Sequence, residues 1–152
     1  MNFNMPKAWL YFMEDREAKR IVRELEDYGE ARIHQTRDFQ VGDYVFLMIG
    51  EEETGRVIYK VSVSEIAEHS ATENEVRFLC TVKLFDPMLI SDKLRESVLE
   101  DLEIPIDRGE YDIVPLDMRQ SLYLQTVFGD RNRYEDNNAP ETKEYILRES
   151  HH

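Results

Sequence analysis

Between Arg32 and Asp38 the sequence reads RIHQTRD, placing two arginines, a histidine and a glutamine within six residues. Guanidinium groups offer paired N–H donors to phosphate or carboxylate, and imidazole and amide groups both donate and accept hydrogen bonds. A short turn follows, then the apolar run YVFLMI, so the stretch RIHQTRDFQVGDYVFLMIG extends from Arg32 to Gly50. A polar loop set directly before such a strand has two readings: it ends a sheet, or it forms the wall of a recognition pocket. A second group lies upstream. At roughly 100° per residue, Arg16, Lys19, Arg20 and Arg23 gather on one face of a helix. That stripe is either a solvated face or a ridge turned towards phosphates.

Patterns that would carry catalysis are missing. Metal-assisted hydrolysis needs His, Cys or carboxylate ligands clustered at helix or hairpin spacing, and the interior histidines, His34 and His69, are isolated. A phosphate-cradling loop needs grouped glycines before a helix, and none of the six glycines is placed that way. No serine occupies a nucleophile-elbow motif. Cys80 is the one cysteine, so no disulfide framework or cysteine-rich zinc site is built. In the alternating stretch VRFLCTVKL it reads as a small buried hydrophobe. Acidic runs such as EDREA and EEET are what solvated surfaces carry. The expectation is a chain that is not an enzyme and uses neither cofactor nor metal.

The bulk numbers fit a single domain of 152 residues with a core of its own. A composition of 41% hydrophobic and 34% charged residues suits a soluble globular fold. Acidic groups outnumber basic ones 32 to 19, giving a net charge of −13. Such a charge disfavours non-specific binding to nucleic acid, which relies on many phosphate contacts, while leaving room for a local basic patch. No apolar run approaches membrane-spanning length, and MNFNMPKAWLYF lacks a signal-peptide pattern, so a cytoplasmic protein with no membrane partner is expected. His151 and His152 read as the start of a purification tag and carry no functional weight.

The elements that must position these residues follow from the hydrophobic period. AWLYFM, from Ala8, reads as a first strand, with Trp9 and Tyr11 of core type. Over Asp15 to Tyr28 the period becomes helical through Ala18, Ile21, Val22, Leu25 and Tyr28, and Gly29 stops it. Strands are predicted over Asp43–Ile49, Arg56–Ile66 and Glu75–Phe85, the last ended by Pro87. A helix capped by Ser91 brings Leu94, Val98 and Leu102 onto one face. IPIDRGEYDIVPL reads as turn-rich, and DMRQSLYLQTVF fits a helix or a strand. From Asp130 a polar tail or linker begins, with one apolar knot at Tyr145–Leu147. The order β-α-β-β-β-α predicts a small α+β fold with a curved, mostly antiparallel sheet or barrel. The first helix is expected to pack back across the sheet and return the chain to the edge it left. Trp9 or Tyr11, Glu14, His34 and Gln35 would then surround one partly open concave pocket, with the Arg16–Arg23 ridge outside it.

The order of these segments resembles the EVE domain, a member of the PUA-like fold group that includes the YTH, ASCH and SRA domains. The residues that carry the resemblance are AWLYFMED for the first strand and turn, RIHQTRD for the loop, and VGDYVFL for the turn and strand. CTVKLFDPML is similar to the family's third long strand with its following proline, and the likeness spans residues 7–129, leaving 130–152 as tail. Arg32, Gln35 and Arg37 stand where the family has the same residues. His34 replaces a common aromatic and Asp38 a common asparagine. The resemblance implies a non-catalytic pocket that receives one base, often a modified one, flipped out of DNA or RNA. It implies stacking on Trp9 or Tyr11, edge reading by His34 and Gln35 beside Glu14, and phosphate or loop bracing by Arg32 and Arg37. The Arg16, Lys19, Arg20 and Arg23 ridge would be a candidate backbone contact. The alternative is a protein-interaction or regulatory module that keeps the fold and offers its acidic surface or tail to a basic protein partner.

Overall fold

A computed structural model of the chain describes residues 6–34, 38–50, 55–72, 75–105 and 113–129. In chain order these form β1 (Ala8–Phe12), α1 (Asp15–Tyr28), β2 (Glu30–His34), β3 (Tyr44–Ile49), β4 (Arg56–Thr72) and β5 (Glu75–Asp86). A 3-10 turn (Asp92–Leu94), α2 (Glu96–Asp101), β6 (Ile113–Leu116) and α3 (Met118–Gly129) complete the order. The strands form one mixed sheet ordered β2-β5-β4-β3-β1-β6. β1 and β3 pair in parallel because α1 and β2 lie between them in the chain; the other pairings are antiparallel.

Strand alternation sends side chains to two cores. Trp9, Tyr11, Val45, Leu47, Ala31, Ile33, Cys80 and Val82 point to the face covered by Ala18, Ile21, Val22 and Leu25 of α1. Ala8, Leu10, Phe46 and Met48 point to the other face, where Leu94, Leu99, Leu124, Val127 and Phe128 cover them. The sheet bends because several residues lack a cross-strand partner. Register shifts leave out Ile58 and Ser64 in β4 and Phe85 in β5. Each such bulge kinks its strand and increases the local twist, curling the sheet around α1.

α1 forms where the period predicts it. Asp15 and Glu17 favour the positive end of its dipole, and Gly29 closes it at φ 72°, with its N–H donating to Leu25 O. Tyr28, expected on the apolar face, is 77% exposed, since it lies at the rim of the stripe in the final turn. Over the helix, the Tyr59 phenol of β4 donates to the Glu26 carboxylate, joining the last turns of α1 to the sheet. Burial, with Glu26 adding to it, pushes that phenol far above its ordinary range.

Two expectations are corrected. α1 does not return the chain to the edge it left; it carries the chain from β1 across to β2 at the far edge of the sheet. The helix expected from Ser91 is broken. Ser91 caps only the 3-10 turn, accepting from Lys93 N–H, and Arg95 is extended because its backbone bridges Arg56. The break shifts the phase, so Leu94, Leu99 and Ile104 are buried rather than Leu94, Val98 and Leu102. The tail from Asp130 lies outside the described residues.

Candidate functional site

The return to β1 is made by the segment that follows β2. β2 runs opposite to β1, so its end at His34 lies at the end of the sheet where β1 starts. From there the chain comes back to β1 through Phe39, which is buried with its ring edge-on to Trp9 at 5.2 Å. Asp43 fixes the arrangement. Its buried carboxylate accepts from Trp9 Nε1–H at 3.1 Å, Lys7 N–H at 3.1 Å and Gln40 N–H at 2.9 Å. The turn Gln40–Asp43 is closed by Asp43 N–H donating to Gln40 O at 3.0 Å. Gly42 adopts φ 96° there, a conformation that favours glycine at the third position of such a turn. Gly42 N–H and Asp43 O both pair with Val63, locking the turn onto β4.

The sequence-predicted residues are distributed as follows. Trp9 is 6% exposed and Tyr11 is also buried, both among the side chains under α1. Glu14 is exposed at the start of α1 and makes no capping bond through its side chain. Arg32 is exposed on the opposite sheet face, because it alternates with the buried Ala31 and Ile33. It therefore does not share a pocket wall with Trp9 and Tyr11, a correction to the expected constellation. His34 ends β2, opposite Leu79 in register. Gln35 and Arg37 lie outside the described residues.

The helical stripe is a mixed-charge surface. Arg20 donates to Glu17 at 2.9 Å and to Glu24, and to Arg32 O at 2.8 Å, tying α1 to the edge strand β2. Its charge is largely matched, so it does not act as an open phosphate contact. Arg16 and Arg23 are exposed, and Lys19 is half-buried. Among the described residues no group of three His, Cys, Asp or Glu is placed to hold a metal ion. None of the described helices is long and apolar enough to cross a membrane.

Phe39 and Asp43 are the organising residues that sequence reasoning missed. The available signal was the VGD turn: an aspartate after glycine that begins a strand can satisfy backbone donors on its own side of the turn. Its partnership with Trp9, 34 residues away, has no local signature.

No family model matches the sequence, and neither does any curated protein. Solved structures do match. A hypothetical protein from Leishmania major aligns with a TM-score of 0.62 at 13% identity, over 84% of this chain and 98% of its own. ASCH from Zymomonas mobilis aligns at 0.56 with 8% identity, over 80% and 95%. The human THYN1 protein, solved in complex with DNA containing 5-methylcytosine, aligns at 0.52 with 11% identity, over 80% and 96%. At such identities the likeness concerns the fold, and it agrees with the sheet order and flanking helices described above. The chain has the α+β, PUA-like fold of the ASCH and THYN1 structures.

Proposed function

We propose that the chain is a non-catalytic nucleic-acid-binding domain that receives a modified base turned out of its strand. The observation that carries this reading is the shared fold with the THYN1 protein, whose structure holds DNA with 5-methylcytosine. The site is assigned to the end of the sheet where β1 begins and β2 ends. In this reading His34 and Gln35 address the base edge and Arg37 a flanking phosphate. Trp9, buried with its indole N–H held by Asp43, supports this end of the sheet from beneath, and Tyr11 is buried farther along β1, so neither ring meets the base. Extruding a base costs a few kcal/mol, and stacking returns about 1–3 kcal/mol per base, so binding by one domain is weak and gains from neighbouring modules.

The test is a titration of modified and unmodified nucleosides followed by chemical-shift changes, repeated on the double variant His34→Ala with Gln35→Ala. Shifts near Trp9 that depend on modification, and vanish in the variant at an almost unchanged melting temperature, support the reading. Shifts that ignore modification count against it. A second reading, an acidic module for a basic protein partner, is favoured by the net charge of −13 and by the matched charge of Arg20. It predicts no preference between modified and unmodified nucleic acid, and weak binding to both that salt abolishes.

A further inference from the structure

The sheet face turned away from α1 carries an aromatic and cationic cluster that the base site does not use. Phe85, the residue left unpaired by the bulge in β5, is 53% exposed. Its ring stands edge-on to Tyr44 of β3, with centroids 5.1 Å apart at 77°. Lys60 of β4 is 6% exposed, and its ammonium lies 4.3 Å from the Phe85 centroid and 4.4 Å from that of Tyr44. Burial lowers its pKa, with Asp86, its partner in register, pulling the other way. A cation held against a ring offsets the negative charge of the π-face and fixes the ring in place.

Two more cations flank this shelf. Lys83 is exposed and alternates with Val82 and Leu84, which pack towards α1, so it lies on the same face as Phe85. Arg32, on the neighbouring β2, is exposed there too and sits opposite Thr81 of β5. Glu30 opposite Lys83, Glu65 opposite Thr81 and Asp86 opposite Lys60 are acidic neighbours on the same face. Three cations, Lys60, Lys83 and Arg32, and three carboxylates thus share this face, which is less acidic than the chain of net charge −13 as a whole.

We infer that this outer face is a contact surface for single-stranded nucleic acid, with a base stacking on Phe85 and phosphates meeting Lys83 and Arg32. A charged strand fits better here than an apolar peptide, because exposed cations, Lys83 and Arg32, border the ring. The surface goes beyond the base-recognition reading and occupies the opposite side of the sheet. It responds to any strand, whereas the base site responds to modification.

The experiment uses the full chain and unmodified single-stranded oligomers of about 12 nucleotides, thymidine and uridine, followed by fluorescence anisotropy at low salt. Phe85→Ala should weaken binding at least about fivefold, the lower bound for one stacked base. Lys83→Gln should weaken it further and lower the salt slope by about 0.7, the value for one single-strand phosphate. Circular dichroism melting checks that both variants fold, as expected for exposed positions. The preference ratio for modified over unmodified ligand should not move in either variant, which separates this surface from the base site. Equal binding by wild type and both variants overturns the inference, as does the absence of measurable binding by the wild type at low salt.

Discussion

Asp43 does at one carboxylate what a larger network does elsewhere, holding β1, the turn at Gly42 and the sole tryptophan in one arrangement. Removing it leaves a buried indole N–H and two backbone donors without their acceptor. Asp43→Ala should therefore cost about 2–4 kcal/mol in urea unfolding, accompanied by a red shift of Trp9 emission as water reaches the ring. A loss under about 1 kcal/mol would mean that water replaces the carboxylate at little cost. Cys80 supplies a second prediction at this scale. Burial, with the charge of Asp43 adding to it, pushes its thiol up to about 12. Its contribution to stability is complete below the unfolded value of 9.0 and is lost as pH rises towards about 12. At pH 8 a thiol reagent should label Cys80 only as fast as the chain unfolds, and rapid labelling of the native protein would contradict that.

The junction of α2 and α3 shows which elements could be read in advance. Asp117 and Gln120 form a reciprocal cap: Gln120 N–H donates to Asp117 Oδ1 at 2.8 Å, and Asp117 N–H donates to Gln120 Oε1 at 2.9 Å. The same glutamine donates through Nε2 to Leu102 O at 3.0 Å, satisfying the end of α2. The D-x-x-Q signature would have settled DMRQSLYLQTVF as a helix; its aromatic and β-branched content obscured the choice. β2 and β6 escaped notice because they are only five and four residues long and sit among polar or turn-forming neighbours. Pro115 within β6 fits an edge strand, which the sheet order makes it. The helical period of α1 and the long strands β4 and β5 were legible, whereas the bulges depend on tertiary packing and were not. Gln120→Ala should cost about 1–3 kcal/mol, because it uncaps two helices. Glu103 ends α2 at φ 61°, with Ile104 N–H returning to Leu99 O at 3.1 Å. Its pairing with Arg119, 3.9 Å apart and exposed, contributes little. Glu103→Gly should thus stabilise the fold by about 1 kcal/mol, read as a higher denaturation midpoint.

For the molecule as a whole, the fold was recoverable from segment order, but the site was recoverable only in part. The polar stretch after Arg32 does lead back to the first strand, through Phe39 and Asp43 rather than through the helix. The pattern RIHQTRD could not reveal that Arg32 faces away from Trp9, because that depends on β2 being a strand with Ala31 and Ile33 inward. Nor could the spacing of Arg16, Lys19, Arg20 and Arg23 reveal that Glu17, Glu24 and the Arg32 carbonyl engage Arg20. An acidic chain with this fold needs selectivity rather than bulk charge to hold nucleic acid, so discrimination is the property to measure. The most direct measurement is a fluorescence anisotropy titration of the full chain with paired duplexes, each pair differing in one modified base, 5-methylcytosine among them, across a range of salt. Base recognition predicts tighter binding to at least one modified duplex than to its plain counterpart, with a ratio that persists as salt rises while both affinities fall. Identical curves within every pair at every salt concentration would contradict it.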